Sequence, residues 1–337
     1  MGYDAQHQRT MMSMISGQFV AQAARALAEL RVPELLHRGP KPAAEVADQA
    51  GANPEAMLRL LRCAVHFELA SYDEETARFA ATPLLDRLRA DAPDSLRSLA
   101  ITWSSPGHWR QWERLTDAVR HGTEQSAAAH GKPIWEYFAE APAEADLFSA
   151  GMAELSAGVI REAVTAIDAR PGDRIADIGG ATGSFVLAML DAHPGTTGVV
   201  HDLPHLLESA RADIAGRGLA DRCAAESGDF FTSVPEADLH LLKFILHDWD
   251  DESCAAILRA CRRALRPGGR VVVVELVLGP PSKPGPAALM DLNMLAMAPG
   301  RERDLAGFDR LFAAAGLRRS ATTELSGSHC AIEAVVA

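Results

Sequence analysis

The chain has 337 residues, 48% hydrophobic and 23% charged, an ordinary globular composition long enough for more than one core. Asp and Glu total 45 against 33 Lys and Arg, and the resulting formal charge of -12 disfavours nucleic acid and anionic membranes as partners. Cys63, Cys223, Cys254, Cys261 and Cys330 are scattered without C-x-x-C spacing, which suggests neither a disulfide framework nor a metal site and fits a reducing cytoplasm.

No basic segment followed by a long apolar core opens the chain, and the longest apolar run, Val271 to Leu278, is interrupted by Glu275 and too short to cross a bilayer. From Met11 to Leu36 the residues Met14, Phe19, Val20, Ala23, Leu27 and Leu30 recur at helical spacing, a face suited either to the subunit's own core or to a partner subunit. Pro33 suits the start of a second helix, and Gly39-Pro40-Lys41-Pro42 is a break.

Ala43 to Asn53 and Pro54 to Phe67 are expected as two short helices, followed by a strand pair near Ala70 and Phe79. This order is winged-helix-like, which raises a DNA-binding regulator with a ligand-sensing domain as a rival reading. Only Arg59 and Arg62 are cations on the second helix, and Asp73, Glu74 and Glu75 occupy the hairpin that would meet phosphate, so DNA binding is disfavoured. Trp103, Trp109 and Trp112, with Pro106-Gly107 breaking the pattern, suit either ordinary core or an apolar pocket for an aromatic ligand. A helix follows around Phe148, Met152, Leu155 and Val159, and Pro171-Gly172-Asp173 marks a boundary. The expected organisation is a helical, winged-helix-like domain over residues 1–100, a helical connector over 101–170 that contributes to the substrate pocket, and a catalytic domain over 171–337.

Beyond residue 171 strand-like runs at 174–178, 197–201, 223–227, 239–244 and 270–278 alternate with helical stretches at 185–192, 204–217 and 252–265, the alternation of a doubly wound parallel α/β sheet. The first strand ends in Asp177-Ile178-Gly179-Gly180-Ala181-Thr182-Gly183, a glycine-rich turn into a helix that favours a nucleotide-type ligand. Asp202 follows the second strand and Asp229 the third, each also readable as a turn or helix cap. Acids at successive strand ends suit a cationic nucleoside better than a pyrophosphate, which favours S-adenosylmethionine over a dinucleotide and counts against a NAD-dependent dehydrogenase. After the fourth strand comes Leu242-Lys243-Phe244-Ile245-Leu246-His247-Asp248-Trp249-Asp250-Asp251, placing a histidine where open sheets carry catalytic residues, with Asp250 or Asp251 as the next helix cap.

Together Asp177 to Gly183, His201-Asp202-Leu203-Pro204, Gly228-Asp229-Phe230-Phe231, Leu242 to Asp251, Leu265 to Gly269 and Met294 to Arg303 resemble the two-domain S-adenosylmethionine-dependent small-molecule O-methyltransferases, which include plant caffeate-type and bacterial antibiotic-tailoring enzymes. The resemblance implies a Rossmann-like class I methyltransferase fold with an N-terminal dimerisation domain, a homodimer, and S-adenosylmethionine as cofactor with S-adenosylhomocysteine as its product. It assigns the cofactor to Ser156, Asp177, Gly179, Gly180, Gly183, Asp202, Leu203, Asp229, Phe230, Lys243 and Trp249, with ribose at Asp202 and adenine at Asp229 and Phe230. It makes His247 the general base, Glu275 and Glu302 the acids that hold its ring, Asp248 a substrate-side group, and Phe148, Met152, Met290 and Met294 the pocket wall.

A phenol, with a pKa of about 10, attacks a sulfonium methyl poorly at neutral pH unless a base such as His247 removes its proton. Ala181 replaces a glycine of the family's usual run. Leu155 and Ala298 stand where many plant relatives carry His and Asn, and the loop at Pro299-Gly300-Arg301-Glu302 is one glycine shorter. These departures point to a polycyclic or heteroaromatic acceptor, polyketide- or phenazine-like. No metal is expected, since the sequence carries no evident carboxylate cluster beyond the acids already assigned. N-methylation or a diverged hydroxylase or decarboxylase activity keeps the same fold and cofactor.

Overall fold

The computed structural model describes residues 5–337, so the first four residues of the expected N-terminal domain lie outside the described residues. The chain forms two compact units: one runs through Arg110 and resumes at Pro133–Ser156, and the other comprises Gln111–Lys132 and Ala157–Ala337.

The first unit opens with helices α1 (Ala5–Glu29), α2 (Val32–His37), α3 (Ala43–Ala50) and α4 (Pro54–His66). Asn53 caps α4 by accepting the Ala56 N–H at 3.0 Å, and Pro54 supplies the fixed φ of a first helical residue. Met57, Leu61 and Ala64, three or four residues apart, turn inward and pack in one cluster with Leu27, Val32 and Val46. Strands β1 (Ala70–Asp73) and β2 (Arg78–Ala81) pair antiparallel with Tyr72 opposite Phe79, and Asp73 holds the turn by accepting the N–H groups of Glu75 and Thr76. The apolar pattern of α1 divides: Leu27 is buried, whereas Met14 and Phe19 are 68% and 67% exposed. Helix α5 (Pro142–Ala166) contains the unit boundary.

The second unit is built on a seven-stranded sheet whose strands lie side by side in the order 223–227, 197–202, 174–178, 237–243, 265–276, 329–336 and 317–324. Its parallel part comprises β3 (Arg174–Ile178), β4 (Thr197–Asp202), β5 (Cys223–Ser227), β6 (Ala237–Lys243) and β7 (Leu265–Leu276). Between them run α6 (Ser184–Ala192), α7 (Leu207–Gly216) and α8 (Asp251–Ala264), and beyond β7 come α9 (Ala287–Met297) and α10 (Leu305–Ala314). Strand periodicity divides the side chains between two helical layers. Ile175, Val200, Val272 and Val274 pack with α6 and α7, while Ala176, Ile178, Val271 and Val273 pack with α8 and α10.

The parallel strands expected from residue 174 onward are present, and β8 (Leu317–Glu324) and β9 (His329–Val336) extend the sheet with antiparallel pairings β7–β9 and β8–β9, which makes it mixed. The tight turn around Gly327, at φ 63, allows such a pairing where a parallel one requires a long crossover.

Strand order reverses at the β3/β6 pair, since the chain moves outward from β3 to β4 and β5 before returning to β6. The loops after β3 and β6 therefore diverge and leave a crevice at the carboxyl ends of the strands. The glycine turn and His247 occupy those two loops.

Candidate active site

The turn after β3 is shaped by what surrounds it. Gly179 has φ 70 and donates its N–H to the His201 carbonyl at 2.8 Å; a Cβ there would stand 2.5 Å from Ile245 Cδ1. Gly183, at φ 74, caps α6, and a Cβ would meet Val200 Cγ2 at 2.5 Å. These glycines are thus required by the protein's own packing and backbone as well as by any ligand. Gly180 lies against Asp177, whose buried carboxylate accepts the Val186 N–H at 3.2 Å. Burial pushes Asp177 up to about 6, against the opposing influence of Lys243.

Asp202 is buried, and both carboxylate oxygens already serve the backbone: Oδ2 accepts the Ala181 N–H at 2.8 Å and Oδ1 the Leu203 N–H at 2.7 Å. Each oxygen keeps a lone pair for a further donor. Asp229 is exposed and closes its own turn by accepting the Phe231 N–H at 2.9 Å. Phe230, Phe231 and Trp249 form an edge-to-face aromatic group, with Phe231 and Trp249 centroids 4.8 Å apart. Lys243 lies between the two loops electrostatically: burial lowers its pKa, while Asp177 and Asp248 oppose that shift.

The loop after β6 carries the chemistry. Phe244 adopts φ 56, a conformation that a bulky residue holds only under constraint, and its ring stacks on His247 at 5.7 Å. His247 Nδ1 lies 2.9 Å from Glu302 Oε1, and Nε2 lies 3.6 Å from Asp248 Oδ1. With Nδ1 donating its hydrogen to Glu302 Oε1, Nε2 is the nitrogen left to accept a proton. Burial alone would lower the imidazole, but Asp248, Glu302 and Glu275 outweigh it and raise His247 to about 9.

Glu275 does not grip the ring. Its Oε1 accepts the backbone N–H groups of Leu246 at 2.6 Å and of Ile245 and His247 at 3.2 Å, because the side chain leaves β7 beneath the loop rather than beside the imidazole. Burial pushes it up to about 7. The ring is held by Glu302 alone of the two expected acids.

Met290 and Met294 lie on α9, Met294 buried and Met290 half-buried with its Sδ 3.6 Å from Asn293 Nδ2. Trp112 donates its indole N–H to Asn293 Oδ1 at 2.9 Å, so this tryptophan has a polar role in the same unit. Phe148, Met152 and Ser156 belong to the first unit, where Phe148 stacks on Phe138 at 4.9 Å and the Ser156 hydroxyl donates to the Met152 carbonyl at 2.6 Å. Asp250 caps α8 by accepting the Ser253 N–H at 2.8 Å.

Sequence reasoning missed Asp291, which accepts the Glu302 N–H at 2.9 Å, and Arg303, which sits beside Glu302 with its guanidinium buried. Arg303 was the readable one of the two, standing next to Glu302 in the same motif.

Two of the carboxylates, Asp177 and Asp202, are buried at adjacent strand ends of the switch-point crevice, while Asp229 follows the third strand; the cation among them, Lys243, is already faced by Asp177. Acids at successive strand ends, with this cation already faced by one of them, suit a cationic sulfonium nucleoside better than a pyrophosphate. A Rossmann-like, nucleoside-dependent methyltransferase is the class so defined. The O-methyltransferase domain family matches residues 112–318 and the O-methyltransferase dimerisation domain family matches residues 12–90. The chain belongs to this S-adenosylmethionine-dependent O-methyltransferase family.

It is 35% identical over 316 residues to a mitomycin biosynthesis 6-O-methyltransferase of Streptomyces lavendulae, covering 92% of this chain and 89% of that one. It is 34% identical over 307 residues to the phenazine O-methyltransferase PhzM of Lysobacter antibioticus, covering 91% and 89%. Among solved structures, human N-acetylserotonin methyltransferase in complex with SAM superposes with a TM-score of 0.90 at 28% identity, covering 100% of this chain and 99% of that one. Among the described residues no helix is long and apolar enough to cross a membrane.

Proposed function

We propose that the protein methylates a phenolic hydroxyl of a polycyclic or heteroaromatic secondary metabolite, with His247 as general base. The observation that carries this is the bracketing of one imidazole by two acids, Glu302 at 2.9 Å from Nδ1 and Asp248 at 3.6 Å from Nε2. The mitomycin and phenazine relatives, by their names, act in the same class of chemistry.

S-adenosylmethionine supplies an electrophilic methyl group on a sulfonium sulfur and leaves as the neutral thioether. Asp177, Asp202, Leu203, Asp229, Phe230, Lys243 and Trp249, with Gly179, Gly180 and Gly183, would hold it, and Ser156 is proposed to join them. The acceptor oxygen, placed beside Nε2, gives its proton to His247 as the oxygen–carbon bond forms. Glu302 orients the ring and stabilises the imidazolium produced. Proton removal contributes about 10²–10⁴-fold, and alignment of oxygen, carbon and sulfur much of the remainder. A base raised to about 9 is strong but arrives protonated at neutral pH, so the neutral imidazole must form first.

Met290 and Met294 are proposed as pocket wall and Asp248 as the polar partner of the acceptor; Phe148 and Met152, in the first unit, are proposed as substrate-binding residues on the family resemblance alone. The organisation proposed is a dimerisation domain over residues 1–100, a connector over 101–170 and a catalytic domain over 171–337. A homodimer is proposed from the dimerisation family match and the exposed apolar residues of α1.

The test is the product mass from purified enzyme, S-adenosylmethionine and a panel of hydroxyphenazines, hydroxynaphthoic acids and their amino counterparts. Methylation of hydroxyl compounds that is lost in His247→Gln supports the reading. Methylation confined to the amino compounds, or full activity in His247→Gln, refutes it.

A further inference from the structure

Residues Pro299–Arg303 do more than deliver Glu302. Arg303 is 4% exposed, and its guanidinium makes five hydrogen bonds. Nη1 donates to the Leu246 carbonyl at 3.0 Å and the Arg301 carbonyl at 3.2 Å, Nη2 to the Trp249 carbonyl at 2.8 Å, and Nε and Nη2 to Asp251 Oδ1 at 3.0 and 2.8 Å. Leu246 and Trp249 flank His247 and Asp248. At Gly300 a Cβ would collide with the His247 carbonyl oxygen, so this segment lies directly on the His247–Asp248 backbone. Glu275 meanwhile accepts the amides of the same loop.

We infer that Arg303 is the positioning residue of the His247 loop: its guanidinium ties the carbonyls on either side of His247 to the segment whose Glu302 holds Nδ1. Backbone and ring of the base are thereby set by two consecutive residues, Glu302 and Arg303. The planar fork matters, because a lysine ammonium offers its donors from one point and cannot span Leu246, Trp249 and Asp251 together. The inference rests on His247 as the base, and it is tested on a property of the ring that does not depend on turnover.

The experiment is an NMR titration of ¹³C-labelled histidine rings in the full chain with S-adenosylhomocysteine bound, His247 being assigned by the signal lost in His247→Gln. In the unsubstituted enzyme the His247 midpoint lies well above the ordinary value of about 6.5. In Arg303→Met and Arg303→Lys the midpoint falls toward that value, because Glu302 no longer meets Nδ1. With a hydroxyphenazine acceptor kcat falls about 100-fold, as misplacement of a base by an ångström predicts. The KM for that acceptor and the Kd for S-adenosylhomocysteine stay within about 3-fold, the pattern of a lost transition-state interaction.

If Arg303 acted only as a positive charge, Arg303→Met would raise the midpoint and Arg303→Lys would leave it unchanged; either result, or an unaltered kcat, overturns the inference. Should Arg303→Met not fold, Arg303→Lys keeps the charge and decides on the same readout. Full turnover in His247→Gln would remove the base reading, while the ring titration would still report what Arg303 holds.

Discussion

One oxygen of the Glu275 carboxylate accepts the Leu246 backbone N–H at 2.6 Å, joining the end of β7 to the loop after β6. Through the flanking amides of Ile245 and His247 the same oxygen fixes three successive residues. Glu275→Ala would leave these donors buried without an acceptor, at about 1–3 kcal/mol for a first unsatisfied group. Urea unfolding should show a loss of about 2–4 kcal/mol for Glu275→Ala, and about 1 or less for Glu275→Gln, whose amide oxygen still accepts. Equal stability of the alanine variant and the unsubstituted protein would show that the carboxylate does not support the loop.

The acids around His247 also set a pH requirement. Its imidazole is raised to about 9, so the neutral form that accepts a proton becomes populated only as pH approaches that value. The rate constant kcat/KM should therefore rise with pH and level off above about 9, and Glu302→Gln should move the rise toward about 6.5. For stability the sign is opposite. The charged ring is the form the fold favours, so this contribution is fully present below about 6.5 and is lost as pH rises through about 9. A pH–rate profile flat between pH 6 and pH 9, on a scale bracketed by those two pKa values, would be incompatible with His247 as the base.

Ala181 has φ 46, in the left-handed region, with its N–H fixed on Asp202. A residue with a Cβ is strained there by about 1–2 kcal/mol, part of which glycine loses again through its freer unfolded chain. Ala181→Gly should gain about 0.5–1 kcal/mol in thermal or urea unfolding, with S-adenosylhomocysteine binding unchanged by calorimetry. A destabilised glycine variant would mean that the turn is held elsewhere.

These cases show what a sequence discloses and what it conceals. The Val271–Val274 run, the glycines after β3 and the alternation with helices announced the parallel part of the sheet, because burial on both faces demands continuous apolar runs. The edge strand β8 carries Arg318, Arg319, Ser320 and three threonine or alanine positions, and an edge exposed along most of its length leaves no apolar alternation to read. His247 and Glu302 were readable through motif order and Arg303 through its adjacency. The direction of Glu275 was not, since a carboxylate's acceptor role toward backbone amides depends on a loop folded 28 to 30 residues away in sequence.

The apolar side of α1 bears on assembly. Met11, Ile15 and Phe19 are spaced four apart, which places them along one helical face, and each is more than half exposed in the single chain, with Met12 beside them also exposed. A contiguous exposed stripe of large side chains is unusual on a monomer, and the dimerisation family match covers this segment. Stable subunit interfaces bury about 1,200 Å² or more, and aromatic and methionine side chains are enriched at their centres. Ile15→Glu with Phe19→Glu places two charges in that stripe, each requiring desolvation if a partner covers it. Sedimentation velocity should show the unsubstituted chain as a dimer and the double variant shifted to monomer, with S-adenosylhomocysteine still bound. A double variant that sediments as a dimer would mean that α1 is not the surface through which two copies meet.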